Sequence, residues 1–139
     1  MFLLDTHVWL WGLEQARGRL GRRTLRLLDR WADQDALRIS PLSVFEVMAL
    51  HAAGRVHLSR PAEHWLETAA SAPGTRLAPL TLDAAMDGGR IGANHLPDPI
   101  DRMLVATARQ MSATFVTRDR RILDYAAETS AVRVHDAGL

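Results

Sequence analysis

The chain has 139 residues, of which 47% are hydrophobic and 24% charged, and its formal net charge is +1. This length predicts one domain, residues 1–139, with a core of its own, and the small net charge excludes a polycation that binds nucleic acid through its total charge. The absence of cysteine excludes disulfides and thiolate metal sites and fits a cytoplasmic protein. No apolar run approaches the ~18 residues of a membrane span, so no membrane partner is expected.

Short apolar segments alternate with helical patterns along the chain. Strands are predicted at Phe2–Leu4, Leu37–Ile39, Arg76–Leu80, Ala113–Val116 and Ala131–Val134. Helices are predicted at Thr6–Leu13, from the arginine-rich segment Arg17–Arg30 to about Asp35, at Pro41–Ala53, at Pro61–Ser71, after Thr81, from Pro99 through Met111, and at Arg120–Ala127. This alternation predicts an α/β fold, in which helices cover both faces of a central parallel sheet of four to five short strands.

Two helices begin with a clear signal. Ser40 before Pro41, and Asp98 before Pro99, each place a capping side chain directly ahead of a proline at the first helical position. Asp101 then adds an acid to the first turn of the second of these helices, where it favours the helix dipole.

Five acidic residues are predicted to reach one edge of the sheet. Asp5 directly follows the first strand, Asp119 directly follows the fourth, and Glu46 lies about two turns into the helix that leaves the second strand. Asp98 and Asp101 open the helix that feeds the fourth strand, so the start of that helix lies at the same edge. Ligands of such sheets bind at the carboxyl ends of the strands, and we therefore expect these acids to converge on one crevice.

Carboxylates that converge in this way repel one another, and a divalent cation removes the conflict. A set of oxygen ligands suits Mg²⁺ or Mn²⁺. The predicted metal ligands are Asp5, Glu46, Asp98, Asp101 and Asp119. Asp98 already has a complete structural role as a helix cap, so the choice between cap and ligand stays open.

Four motifs occur in order along the chain: LLDTHVWLW, SVFEV, DPIDRMLVATA and TFVTRD. In this order and spacing they resemble the PIN-domain ribonucleases, and more closely the VapC toxins of bacterial toxin–antitoxin pairs. The resemblance covers essentially the whole chain and implies a single PIN domain, a PIN-like three-layer α/β/α sandwich. Asp5, Glu46, Asp101 and Asp119 match the acidic cluster of that family, and Asp98 is the extra acid of its DPxDR variant.

The resemblance implies the toxin of a type II, VapBC-like system, an endoribonuclease that depends on Mg²⁺ or Mn²⁺, hydrolyses RNA phosphodiester bonds and inhibits translation. Asp5, Asp101 and Asp119 would hold the metal, with Glu46 acting directly or through water, and the metal would generate the nucleophile. The same resemblance implies a VapB-like antitoxin that covers the acidic crevice, and a homodimer.

Several neighbours of the acids have candidate supporting roles. Thr6 and Thr117 are candidates, and Thr117 could orient a metal-bound water or Asp119, or be an ordinary strand threonine. We interpret His7 as a packing residue, or as a residue that supports the acids without holding the metal itself, and not as a general base. The tryptophans are interpreted as core or interface residues and not as base-stacking platforms: Trp9, Trp11, Trp31 and Trp65.

The densest charge run lies between residues 17 and 30. Its arginines recur at helical spacing and are predicted to share a face, which could be solvated or contact phosphates: Arg19, Arg22, Arg23, Arg26 and Arg30. Arg102 and Arg118 are better candidates for RNA contact because each adjoins a cluster acid. Arg22 and Arg26 complete the candidate set.

Three alternatives start from the same acids. A phosphatase with Asp5 as nucleophile typically has a second acid two residues later, where this chain has His7. A receiver domain needs a lysine near its acidic pocket, and the chain contains no lysine. A catalytically inactive PIN scaffold that binds RNA or protein stays open.

Overall fold

The computed structural model describes residues 1–14 and 17–139, without the side chain of Arg17, so that part of the predicted basic run lies outside the described residues. The strands are β1 (Phe2–Leu4), β2 (Leu37–Ile39), β3 (Thr75–Leu77), β4 (Thr114–Thr117) and β5 (Val134–Asp136). The α-helices are α1 (Thr6–Leu13), α2 (Arg22–Asp33), α3 (Pro41–Ala52), α4 (Ala62–Ala70), α5 (Leu82–Arg90), α6 (Pro99–Gln110) and α7 (Arg120–Thr129), and a 3₁₀ turn covers Arg17–Arg19.

The five strands form one parallel sheet in the order β3-β2-β1-β4-β5. The first strand of the chain is therefore the central one, and Leu3 pairs with Arg38 on β2 and with Phe115 on β4. Successive strands are added to one side of β1 and then to the other. The carboxyl ends of β1 and β4 thus flank the point where the strand order reverses, which is where ligands bind in such sheets.

Helices cover both faces of the sheet, which confirms the predicted three-layer α/β/α fold. Neighbouring residues of β1 point in opposite directions, as in any strand. Leu4 packs into a core beneath the first four helices: Val8, Trp9, Leu28, Trp31, Val47 and Trp65. Leu3 packs into a second core beneath the last three helices: Leu104, Val105, Phe115, Ile122 and Tyr125. No helix of the described residues is long and apolar enough to cross a membrane.

Both predicted helix starts are confirmed by their capping bonds. The Ser40 hydroxyl accepts a hydrogen bond from the Leu42 amide at 3.0 Å, and the Asp98 carboxylate accepts one from the Ile100 amide at 2.8 Å. The arginine-rich segment differs from the prediction of one continuous helix. Gly21 caps α2 and donates its amide to the Ala137 carbonyl at 2.9 Å, so the helix begins only after this tie to the end of the chain.

The last strand was predicted wrongly at Ala131–Val134, because β5 begins where that prediction ends. Helix α7 continues to Thr129, and Ser130 follows in the left-handed conformation with φ 54°. The Thr129 hydroxyl then accepts the Ala131 amide at 3.2 Å, and Val132 is buried in the second core instead of pairing in the sheet. The chain needs these residues to pass from the helix to the sheet edge.

The third strand also differs, since β3 begins and ends earlier than the predicted Arg76–Leu80. The amide of Ala78 still donates to the Ile39 carbonyl at 2.8 Å, but the following Pro79 has no amide hydrogen with which to continue the ladder.

Gly74, which precedes β3, is expected to tolerate no side chain. Its φ is +79°, and an added Cβ would lie 2.1 Å from the Ala32 carbonyl oxygen, a backbone atom that cannot move aside cheaply. Gly74→Ala is expected to lower the free energy of unfolding by about 3 kcal/mol, measured by urea denaturation. The matched control is Gly89→Ala within α5, where an added Cβ meets no atom within 4 Å. That control is expected to gain roughly 0.5–1 kcal/mol, and equal stabilities of the two variants would contradict this account.

Candidate active site

A cavity of about 590 Å³ lies at the carboxyl ends of β1 and β4. All five acids singled out by the sequence line it: Asp5, Glu46, Asp98, Asp101 and Asp119. The remaining lining residues are His7, Val8, Trp11, Arg19 and Arg118. We call this space the acidic cavity. The sheet, α3, α6 and α7 thus bring together residues that are more than one hundred positions apart in the chain.

Asp5 is the most buried of these acids, with 9% of its surface exposed. It caps α1, and its two carboxylate oxygens accept hydrogen bonds from the Thr6 amide at 2.8 Å and from the Thr117 hydroxyl at 2.6 Å. Burial raises the pKa of Asp5 above its usual value, and these two hydrogen bonds offset part of that rise. The carboxylate at the end of an apolar strand is therefore held in one orientation by groups on two neighbouring elements.

The two candidate supporting threonines are both fully buried and tie the elements of the cavity together. The Thr117 hydroxyl donates to Asp5 and accepts the Asp119 amide at 3.0 Å, so one side chain links two acids. The Thr6 hydroxyl donates to the Ser43 hydroxyl at 2.9 Å, which joins α1 to α3, the helix that carries Glu46.

Thr117→Val is expected to leave the protein folded but to reduce metal affinity and cleavage rate by about 10- to 100-fold, the range found when a partner of a metal ligand is removed. The reason is that Asp5 loses its 2.6 Å hydrogen bond and the Asp119 backbone loses its acceptor. The matched control is Thr114→Val at the other end of β4, outside the acidic cavity. Metal titration and RNA cleavage assays of both variants check this, and equal behaviour of the two would contradict it.

Asp101 is half-buried in the first turn of α6. Burial, which has the largest effect, and the negative charges nearby together raise its pKa from 3.8 to about 7. Those charges belong to the other four acids of the cavity: Asp5, Asp98, Asp119 and Glu46. In the protein without a cation, the cluster therefore does not carry all of its possible negative charge at neutral pH.

The other three acids lie at more open positions. Asp98 and Asp119 are exposed caps of α6 and α7, and one oxygen of each accepts a backbone amide, from Ile100 and Arg121 respectively, at 2.8 Å. Within the described ranges the second oxygen of each makes no hydrogen bond. Glu46 is half-buried on α3. Asp98 therefore caps α6 with one carboxylate oxygen, and its second oxygen makes no hydrogen bond with the described residues.

The donor set fits a hard divalent cation. The cavity offers five carboxylates and no thiolate, and oxygen ligands of this kind suit Mg²⁺ or Mn²⁺. Among the described residues, no group of three or more His, Asp or Glu side chains lies close enough together to coordinate one metal ion. Like charges repel, so a bound cation is what would draw these carboxylates together.

The candidate RNA-contacting arginines do not share one location. Arg118 lines the acidic cavity and donates a hydrogen bond to the Arg19 carbonyl. Arg102 is half-buried outside the lining, and its Nε is buried without a hydrogen-bond partner among the described atoms. Arg22 and Arg26 are exposed on α2 and also lie outside the lining. Arg19, seen in the sequence only as part of a charge run, lines the cavity.

Sequence reasoning also missed that Trp11 forms part of the cavity wall. The other three tryptophans are buried core residues: Trp9, Trp31 and Trp65. Trp11 is only half-buried and, like His7, lines the acidic cavity. The signal available in the sequence was the spacing of four residues, which puts both rings on one face of α1.

Comparison with known proteins confirms the predicted family. The PIN domain family profile matches residues 2–128. The chain is 29% identical to Ribonuclease VapC22 of Mycobacterium tuberculosis (strain ATCC 25618 / H37Rv) over 120 residues, which are 86% of this chain and 88% of that protein. The fold of the present chain is similar to that of a chain in each of two complexes that were solved with DNA. One is VapBC from Salmonella typhimurium, with TM-score 0.67 and 18% identity over 97% of this chain and 96% of that one. The other is VapBC2 from Rickettsia felis, with TM-score 0.69 and 11% identity over 97% of both chains. The chain therefore belongs to the PIN domain family.

Proposed function

We propose that this protein is a VapC-type toxin, a metal-dependent endoribonuclease that hydrolyses RNA phosphodiester bonds and inhibits translation. The observation that carries the proposal is the convergence of five carboxylates on one cavity where the strand order reverses. Membership of the PIN domain family and the likeness to a protein named ribonuclease support RNA as the substrate. The whole chain, residues 1–139, would form the single PIN domain.

Five acids would together hold Mg²⁺ or Mn²⁺. Asp5, Asp101 and Asp119 would be ligands, with Glu46 acting directly or through water, and Asp98 would be an additional ligand at the open side. When bound, the cation supplies Lewis acidity, which makes water a better nucleophile at neutral pH and offsets charge on the leaving oxygen.

The other residues of the site prepare it for the substrate. The Thr117 hydroxyl and the Thr6 amide hold the carboxylate of Asp5 in one orientation. The carboxylate is therefore already oriented before the substrate binds. Arg118 and Arg19 add positive charge to a cavity that is otherwise acidic, and guanidinium groups bind phosphate oxygens well. A polyanion can therefore approach carboxylates that would otherwise repel it.

The proposal includes a VapB-like antitoxin, a homodimer and a cytoplasmic location. Two DNA-bound VapBC complexes support a partner of this kind, because a chain of each complex matches the fold of this protein over 97% of its length. Phe45, 62% exposed on the same helix as Glu46, provides apolar surface for a protein contact. Co-purification with the product of an adjacent gene and size-exclusion chromatography test these points, and a monomer without any such partner would contradict them.

The first experiment is cleavage of total cellular RNA by the purified protein, freed of any antitoxin, with Mg²⁺, with Mn²⁺ or with EDTA. We expect discrete fragments with either cation and intact RNA with EDTA, and mapping the fragment ends gives the cleaved bond. Fragments that persist in EDTA would overturn the metal-dependent mechanism. Binding of RNA without cleavage in either cation would favour the inactive PIN scaffold.

A further inference from the structure

A second cavity, of about 440 Å³, lies beside the acidic cavity. Three residues line both: His7, Trp11 and Arg19. The rest of its wall comes from the end of α1 and from the segment that follows α3: Leu10, Glu14, Arg55, Val56 and His57. We call it the basic cavity. Its volume lies within the roughly 300–1,000 Å³ of typical small-molecule sites.

The charge of this space is opposite to that of its neighbour. Among the described residues that line it, Glu14 is the only acid, and a Glu14 oxygen accepts hydrogen bonds from the Ser59 hydroxyl at 3.1 Å and the Ser59 amide at 3.4 Å. Arg19 and Arg55 supply two cations, and the exposed Arg55 side chain forms no hydrogen bond or ion pair with any described residue. An unpaired arginine beside a cleft is free to bind an anion.

Trp11 stands at the junction of the two cavities. The Arg19 guanidinium carbon lies 5.5 Å from the centre of the Trp11 ring, and the His7 ring centre lies 5.5 Å from it at an interplanar angle of 48°. Trp11 is half-buried, unlike the core residue Trp9, which is 3% exposed. The basic cavity thus combines a partly accessible indole with two arginines in its lining, one of them close to the ring.

Resting on the proposed function, we propose that the basic cavity binds the nucleotide next to the cleaved bond of a single-stranded RNA. The base of that nucleotide stacks on Trp11, and its phosphate lies against Arg19 and Arg55 while the cleaved phosphate occupies the acidic cavity. Single-stranded RNA is recognised in this way because its unstacked bases can lie on aromatic rings while arginines contact the backbone. Trp11 is then a residue that positions the substrate and contributes to its selection.

The test uses an oligoribonucleotide that contains one mapped cleavage bond, with each flanking nucleotide replaced in turn by an abasic ribose. For the wild-type protein, kcat/KM is expected to fall about 5- to 150-fold at one position beside the bond, the range for loss of one stacked base. On the intact oligonucleotide, kcat/KM of Trp11→Ala is expected to be lower than that of the wild-type protein by the same factor. Removing the base at that position is expected to lower kcat/KM of Trp11→Ala no further. Trp11→Phe is expected to keep most of the wild-type kcat/KM. Equal abasic losses in the wild-type protein and Trp11→Ala would overturn the proposal.

Measurements of RNA affinity without cleavage test this subsite separately from the proposed nuclease function. In Asp5→Asn, an eight-nucleotide single-stranded RNA is expected to bind more tightly than the matching ribose-phosphate strand without bases, and Trp11→Ala in that background is expected to remove the difference. Arg55→Gln is expected to reduce the slope of log K against log salt concentration by about one. The control Arg90→Gln, at an exposed position on α5, is expected to leave that slope unchanged. A base-dependent affinity that Trp11→Ala leaves intact would overturn the subsite. Trp11-dependent binding without cleavage by the wild-type protein would support the subsite and overturn only the nuclease function.

Discussion

Asp5→Asn is expected to abolish RNA cleavage while the protein stays folded. Asp5 is the most buried acid of the cavity and is oriented by two hydrogen bonds of 2.8 Å and 2.6 Å, so among the proposed ligands it is the one that a neighbouring acid can least easily replace. An amide has the same shape but no negative charge for a cation. We expect kcat to fall on the order of 10³-fold or more, as when a residue central to the chemistry is removed.

The fold should survive this change, because the amide oxygen of an asparagine can still accept the Thr6 amide and its NH₂ group can donate to the Thr117 hydroxyl. The control is Asp124→Asn, an exposed acid on α7 outside the cavity, which should cleave at the wild-type rate. Cleavage rates are compared together with thermal unfolding. If Asp5→Asn cuts RNA within threefold of the wild-type rate, the acidic cavity is not the catalytic centre.

Asp101→Asn is expected to abolish cleavage as well, and also to stabilise the metal-free protein. The pKa of Asp101 is raised by burial and by the four neighbouring acids to about 7, from 3.8 in the unfolded chain. The folded state therefore holds this proton more tightly than the unfolded state does, so the ionised carboxylate opposes folding. Stability of the metal-free protein is expected to fall as pH rises from about 4 to about 7 and to level off above that range.

The size of this effect can be estimated from the pKa shift. The rise in the pKa of Asp101 from 3.8 to about 7 corresponds to roughly 4 kcal/mol, and screening by solvent at this half-buried position reduces the effect to about 2 kcal/mol at pH 8. Asp101→Asn should then raise the Tm of the protein in EDTA at pH 8 by on the order of 5 °C. At about pH 4 the carboxyl group is protonated in the folded state and about half protonated in the unfolded state, so the two proteins should differ little in Tm.

Asp87 provides a matched control of opposite sign. Although burial raises its pKa, hydrogen bonds from Arg109 and Gln110 and the positive charge of Arg109 outweigh that effect and lower it. Asp87→Asn should therefore destabilise the protein, by about 1 kcal/mol at neutral pH. Destabilisation by both substitutions would show that Asp101 is paired in the folded protein and would contradict the charge repulsion inferred for the cavity.

The features that depend on local sequence could be predicted well. Proline after a capping residue marked the starts of α3 and α6, and apolar runs marked the central strands, because caps and burial act over a few neighbouring residues. The convergence of Asp5 and Asp119 could also be predicted, since residues that follow parallel strands meet at one sheet edge. The resemblance to PIN-domain ribonucleases predicted a single acidic cluster, and all five acids line one cavity.

Features that depend on distant contacts could not be predicted in the same way. The start of α2 is set by Gly21, whose amide bonds to the Ala137 carbonyl near the other end of the chain. The start of β5 is set by the path between α7 and the sheet edge. The spacing of His7 and Trp11 puts both rings on one face of α1, but which face the cavities occupy depends on distant elements that the local sequence does not specify.

The most direct test of the acidic cavity is a Mn²⁺ titration of the purified protein, followed by electron paramagnetic resonance at pH 8 and pH 6. We expect saturable binding at pH 8, weaker binding at pH 6 because protons compete for Asp101, and loss of binding in Asp5→Asn but not in Asp124→Asn. Binding that is absent at millimolar Mn²⁺, or that is unchanged in Asp5→Asn, would contradict the assignment of these acids as a metal site.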